Sequence, residues 1–272
     1  LGTEQSTVLR VRDLHVQVNN QKGHSTLVQD INFDLKRGQV LGLIGESGCG
    51  KTVTSISILQ TLDPKTTKVE GSIALRGREL NGLADKEMRK IRGKDIAYIM
   101  QNPMNAFTPV FTIGQQMTES IRSHTSFSKK QAKELATEAL HHVNLPHPAK
   151  LLHSYPFQLS GGMLQRVMIA IASCLKPAIL IADEPTTALD VYNQKTVLKY
   201  LDGMRSDFGT AILLISHDLG VIAEMADEVA VMQNGRIVEN RDVFQLFDEP
   251  KHEYTKKLLS ARLTLPVDQL AT

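Results

Sequence analysis

Eight consecutive residues, Gly45-Glu46-Ser47-Gly48-Cys49-Gly50-Lys51-Thr52, carry the densest chemistry in the chain. They fit the pattern G-x-x-x-x-G-K-[ST]. Glycines let successive backbone N–H groups turn inward around phosphate oxygens without Cβ clashes. A helix that follows such a loop adds its positive N-terminal end to the same anion site. Lys51 would then reach the β- and γ-phosphates of a nucleotide, and Thr52 would place its hydroxyl on Mg²⁺.

A phosphate loop needs a metal ligand and a group that arranges water. Ile179-Leu180-Ile181-Ala182 is an apolar run that ends in two carboxylates, Asp183 and Glu184. Asp183 would hold Mg²⁺ directly or through water, and Glu184 would polarise the attacking water. A second apolar run ends in Ser216-His217-Asp218, where His217 would sense or stabilise the γ-phosphate charge. Leu159-Ser160-Gly161-Gly162 precedes an apolar helical stretch, Met163 to Leu175. Ser160 is a natural N-cap there, and the glycine N–H groups make a second anion-binding helix end. One nucleotide is gripped by both ends only if they converge on it, within one chain or between two.

These groups need elements to position them. Val40–Ile44, Ile179–Ala182 and Ala211–Ile215 are short and apolar throughout, as suits parallel strands covered on both faces. Helical patterns separate them, at Lys51 to Leu62 and at Val191 to Phe208. Val8–Val18, Leu27–Leu35, Gly71–Leu75 and Ile96–Met100 read as antiparallel strands. From 111 to 175 the strand signal disappears, and Ser128-Lys129-Lys130-Gln131 reads as a capping box opening a helix through Val143. After Val229–Met232, Asn234-Gly235 is a hairpin signal. The expected organisation is an α/β domain over 8–250, interrupted by a helical lobe at about 104–175. A flexible start (1–7) and a short helical tail (251–272) flank it.

Composition narrows the class. A chain of 272 residues with 42% apolar and 22% charged residues buries a sizeable core. The formal net charge of +2 gives no electrostatic reason to expect nucleic acid, and clusters such as Lys129-Lys130 read as solvated helix faces. Cys49 and Cys174 give neither a disulfide framework nor metal-ligand spacing. No apolar run approaches the roughly 18 residues that would span a bilayer.

With these stretches in view, the chain resembles the ATP-binding-cassette (ABC) transporter ATPases over nearly its whole length. The Walker A loop (45–52), Walker B strand (179–184) and signature (159–163) stand in family order. So do the Q-loop glutamine Gln101, the D-loop Ala188-Leu189-Asp190 and the switch histidine His217. The resemblance implies a P-loop NTPase (RecA-like) core with an antiparallel β subdomain and a helical lobe, using ATP and Mg²⁺. It implies head-to-tail pairing, in which Ser160, Gly161 and Gly162 of one domain close on ATP held by the other. Gln101 would be a further Mg²⁺ ligand and the link to the lobe that touches the membrane subunits.

Within the superfamily the chain is most similar to the dipeptide, oligopeptide and nickel importers, through 100–109 (MQNPMNAFTP), 155–170 (YPFQLSGGMLQRVMIA), 182–190 (ADEPTTALD) and 250–261 (PKHEYTKKLLSA). Such importers resemble one another in using two different ATPase subunits, two permeases and an external binding protein. The resemblance would place the ATPase at the cytoplasmic face of the cell membrane. The family often stacks adenine on an aromatic residue at the end of the first strand. Here the nearest match is Val18, with His24 or an apolar contact as the alternatives. Met163 replaces the commonest signature glutamine. A soluble ABC ATPase acting on ribosomes or DNA is the rival class, but the chain has neither a second cassette nor a long heptad run. A nucleotide sensor without turnover is disfavoured by the presence of both Glu184 and His217. Peptide-importing relatives often carry a C-terminal cysteine cluster, and no cysteine follows Cys174, which tilts the expected cargo toward nickel or a metal chelate.

Overall fold

The computed structural model describes residues 6–20, 23–187 and 189–263. The chain opens with two long strands, β1 (Thr7–Asn20) and β2 (Gly23–Lys36), followed by β3 (Val40–Ile44) and α1 (Lys51–Ile58). Then come β4 (Thr67–Leu75), β5 (Arg78–Glu79), α2 (Asp85–Ile91) and β6 (Ile96–Ile99). Four helices follow without an intervening strand among the described residues: α3 (Ile113–His124), α4 (Lys129–His142), α5 (Pro148–Leu151) and α6 (Gly161–Ser173). The chain returns to the sheet through β7 (Ile179–Asp183), α7 (Val191–Phe208), β8 (Ala211–Ile215), α8 (Leu219–Met225), β9 (Glu228–Gln233) and β10 (Arg236–Asp242). It ends in α9 (Val243–Asp248) and α10 (Glu253–Leu263).

Two sheets result. The antiparallel one has the order β2-β1-β4-β5, and the larger one the order β10-β9-β3-β8-β7-β6. In the larger sheet β9, β3, β8, β7 and β6 are parallel, and β10 folds back antiparallel through Asn234-Gly235. The core strands are buried on both faces because their residues alternate between two apolar clusters. Val40, Ile44, Leu180, Ala182, Ile212 and Leu214 pack with the helices of the lobe. Leu41, Leu43, Ile179, Ile181, Leu213 and Ile215 pack with the antiparallel sheet. This two-sided burial is why the strands carry no polar face.

Two expectations need correction. Ile96–Met100 groups with the antiparallel strands by its sequence, but β6 runs parallel to β7 at the edge of the large sheet. Its residues divide as those of a core strand do, Ile96 to one cluster and Ala97 and Ile99 to the other. The helix expected over Lys51–Leu62 stops at Ile58. The Thr54 and Ser57 hydroxyls turn back onto the carbonyls of Gly50 and Val53, each four residues earlier, which weakens helix propagation. Gln60 then turns left-handed. Arg92 closes the end, donating to the carbonyls of Leu59 (2.7 Å) and Gln60 (2.6 Å). The capping box at Ser128 and Gln131 forms as expected and opens α4.

Candidate functional site

The parallel strands deliver their C-terminal ends to one edge of the sheet, where ligands of open α/β folds collect. The loop 45–50 leaves β3 there, Asp183 ends β7 with Glu184 next to it, Gln101 lies just beyond β6, and His217 follows β8. A cleft of about 490 Å³ opens at this edge. Ser47, Gly48, Gly50, Lys51, Thr52, Gln101, Asp183 and Glu184 line it.

The loop has the shape its sequence demands. Gly45 (φ 151°) lies so close to β9 that a Cβ would strike the Met232 carbonyl and the Cys49 sulfur. Gly48 (φ 81°) has open space where its Cβ would be, on the side a ligand would use. Cys49 is buried beneath the loop and does not line the cleft; its N–H donates to the Glu46 carbonyl and its carbonyl accepts from the Gly235 N–H. Lys51 arches back, with its ammonium donating to the carbonyls of Gly45 (2.8 Å) and Glu46 (2.9 Å). The helix α1 begins behind Gly50 with no side-chain cap and no acidic residue in its first turn. Its first N–H groups thus keep their electropositive character for an anion.

Thr52 links the loop to β7, its hydroxyl donating to Asp183 Oδ2 at 3.0 Å. The Tyr98 hydroxyl donates to the same oxygen at 3.0 Å. Burial pushes the Asp183 carboxyl above the usual carboxylate range, while the two hydroxyls and Lys51 pull it back. Burial and the Asp183 charge together raise the Tyr98 phenol. A cation beside Asp183 would relieve the cost of burying this charge. Thr52, Gln101 and Asp183 are hard oxygen donors with a single carboxylate among them, a set that suits Mg²⁺ completed by water and phosphate. Among the described residues, no cluster of three or more His, Cys, Asp and Glu forms an all-protein metal cage.

Glu184 has the most constrained position. Its backbone is left-handed (φ 51°), unusual for a residue with a Cβ, and its N–H donates to the Ile215 carbonyl of β8. Its Oε2 receives His217 Nδ1 at 2.7 Å and the Thr187 hydroxyl at 2.8 Å. His217, expected to sense or stabilise the γ-phosphate charge, bonds the carboxylate of Glu184 and is not itself a lining residue of the cleft.

Ser160 caps α6, accepting from the Met163 N–H at 3.3 Å. Ser160 and Gly161 are exposed, and neither they nor Gly162 line the cleft. The chain alone does not bring its two anion-binding helix ends together. Asp190 caps α7 by accepting from the Asn193 N–H at 2.9 Å, and that bond holds its carboxyl below the ordinary range. Ala188, the first residue of the expected D-loop, lies outside the described residues. Val18 and His24 do not line the cleft; Thr26 and Leu27 of β2 do, together with Asn234 and Gly235 of the hairpin turn. Sequence reasoning missed these four, along with Tyr98 and Thr187. Asn234-Gly235 carried a signal that marked a turn without saying what the turn faces, and Thr187 stood in the stretch 182–190 with no role assigned to it.

The ABC transporter family profile matches residues 28–187, a segment that holds the phosphate loop, Gln101, the Ser160 helix end and the Asp183-Glu184 pair. The chain belongs to the ABC transporter family. It is an ATP-binding subunit and an ATPase of that family. It is 45% identical to a dipeptide transport ATP-binding protein of Bacillus subtilis, over 93% of this chain and 76% of that protein. It is 43% identical to a metal-staphylopine import system ATP-binding protein of Staphylococcus aureus, over 94% and 93% of the two chains. Its fold matches a dimeric ATP-binding cassette solved in a post-hydrolysis state with ADP and Pi. That match has a TM-score of 0.78 at 23% identity, over 86% of this chain and 98% of the other. Among the described residues of this ABC subunit, no helix is long and apolar enough to cross a membrane.

Proposed function

We propose that this subunit hydrolyses ATP to drive import of di- and oligopeptides, paired with a second ABC ATPase beneath two membrane permeases. The observation that carries the hydrolytic reading is the meeting of Lys51, Thr52, Asp183 and Glu184 at one cleft. In it, the loop N–H groups of Ser47, Gly48 and Gly50, the α1 end and Lys51 bind the phosphates. Thr52, Gln101 and Asp183 hold Mg²⁺, which draws charge from the phosphate oxygens when bound. Glu184 orients and polarises the attacking water, and His217 and Thr187 hold its carboxylate for that task. The work is positioning and electrostatics, as phosphoryl transfer requires.

The exposed Ser160–Gly162 end supports a site completed by the partner ATPase, with Asp190 beside the seam. Ser160→Arg should therefore spare ATP binding by the lone subunit and block ATP-dependent pairing. Nucleotide titration of the isolated chain, run beside sedimentation with the partner subunit, checks this. Pairing at wild-type strength would remove the in-trans role, and equal loss of both activities would point to a damaged lobe.

Peptide cargo is favoured by the likeness to the dipeptide transporter. Nickel or a metal chelate is the second reading, favoured by the similar likeness to the metal-staphylopine system. The lack of a cysteine after Cys174, which tilts the sequence reading toward metal, is outweighed by the likeness to the dipeptide transporter. The assembly would sit at the cytoplasmic face of the cell membrane, engaging an external binding protein through the permeases and no nucleic acid. Loaded binding protein can stimulate ATPase only through differential affinity for the open and closed states. In the reconstituted complex, binding protein loaded with di- or oligopeptide should raise ATPase well above the unloaded level. Ni²⁺ or its chelates should give little. The reverse ranking sinks the peptide assignment and leaves the importer reading standing.

A further inference from the structure

The peptide bond between Gly45 and Glu46 is held at both ends. Its carbonyl, on Gly45, accepts from Lys51 Nζ at 2.8 Å. Its N–H, on Glu46, donates to the Tyr254 hydroxyl at 3.1 Å. One rigid plane thus ties the phosphate-loop lysine to a phenol in the last helix of the described chain.

That helix is anchored where Tyr254 leaves it. Glu239 of β10, 8% exposed, accepts from the Lys251 N–H (2.8 Å) and the His252 N–H (2.9 Å) with its two carboxylate oxygens. His252 Nδ1 in turn accepts from the Tyr254 N–H at 3.2 Å. Burial pushes the Glu239 carboxyl up, but its hydrogen bonds, those from Lys251 and His252 among them, outweigh this and keep it below the ordinary range. Tyr254, Leu258 and Leu259 are buried in the cluster that also covers β3. The helix is therefore docked, and its phenol has a fixed address.

The loop needs such support. Gly45 has no Cβ to restrain its ψ, so the 45–46 plane can rotate at small steric cost. Rotation would carry the Gly45 carbonyl away from Lys51 and let the ammonium drift from the position in which it meets phosphate.

We propose that Tyr254 is a positioning residue for the phosphate loop, through which α10 sets the nucleotide affinity of this subunit. The proposal rests on ATP binding at the cleft described above. Tyr254→Phe keeps the ring and its packing and removes only the hydroxyl. Losing one neutral hydrogen bond should raise the Kd for ATP about three- to tenfold, which corresponds to about 0.6–1.4 kcal/mol, with the melting temperature close to wild type. Glu239→Ala loosens the same helix by another route and should raise Kd as well. The double variant should show less than the sum of the two changes, as coupled sites do. Nucleotide titration of the full chain, with thermal melting alongside, reads all of these. A wild-type Kd in Tyr254→Phe would overturn the positioning role, as would additive effects in the double variant or a lowered melting temperature with unchanged affinity. Failure of the wild-type chain to bind ATP would instead overturn the phosphate site itself, and this inference with it.

Discussion

Glu184→Gln should leave ATP binding intact and cut hydrolysis by about 10²- to 10⁴-fold, the span that a positioned general base contributes. The substitution is informative because the geometry around it is restrictive. Glu184 Oε2 already takes two hydrogen bonds, from His217 Nδ1 and from the Thr187 hydroxyl. A glutamine amide oxygen can accept both, so the side chain should stay where it is. Its left-handed backbone is the same for either residue, and the bond from its N–H to Ile215 is untouched. What changes is basicity: an amide does not polarise water as a carboxylate does. Each tenfold loss corresponds to about 1.4 kcal/mol of transition-state stabilisation. Phosphate release should be measured with the partner subunit present, and nucleotide affinity on the same preparation. Hydrolysis surviving above about a tenth of the wild-type rate would reject the role of Glu184. A matching loss of ATP affinity would mean the variant had disturbed the cleft rather than the water.

The sequence disclosed most about what local chemistry dictates. The turn of the phosphate loop is legible because Gly45, Gly48 and Gly50 all adopt positive φ, which glycine tolerates best. β3, β7 and β8 are legible because burial on both faces leaves no polar position in them, Asp183 at the last position of β7 excepted. The helix caps at Ser128 and Ser160 are legible because an N-cap bonds to residues two or three positions on.

Pairings made across long sequence separations were not legible. The strand β6 and an antiparallel strand of four residues look alike in one dimension; only the neighbour β7, 83 residues on in register at Ile96 and Ile179, tells them apart. Tyr98 reads as a half-buried strand residue until Asp183 is found beside its hydroxyl. Thr187 and His217 were both in motif stretches, yet their convergence on one oxygen of Glu184 depends on how β7 and β8 are paired. Tyr254 is the extreme case, since its partner Glu46 is 208 residues away. The Ser160 helix end was legible as chemistry but not as geometry. Its absence from the cleft wall is a property of the folded chain.

Lys51→Ala should raise the Kd for ATP at least about a hundredfold while leaving the subunit folded. The side chain does two things in the structure. Its ammonium bonds to the carbonyls of Gly45 and Glu46, which closes the mouth of the loop, and it brings positive charge to a cleft whose other charged lining residues, Asp183 and Glu184, are acidic. Removing one partner of a desolvated charged contact costs about 2–5 kcal/mol, and about 2.8 kcal/mol already amounts to a hundredfold. The fold should tolerate the change, because Lys51 sits at the open end of α1 and its ammonium bonds two loop carbonyls and, at 3.7 Å, the Cys49 sulfur, none of which it holds in place alone. Lys51→Arg separates the two contributions: it keeps the charge but replaces a compact ammonium with a planar fork too broad for the paired carbonyls. If charge alone mattered, arginine would restore most of the affinity. The paired carbonyl geometry predicts that it restores little, with Kd staying within about tenfold of the alanine variant. Titration with a non-hydrolysable ATP analogue, with circular dichroism to verify the fold, decides between them. Near wild-type affinity in the alanine variant would reject the loop as the phosphate site.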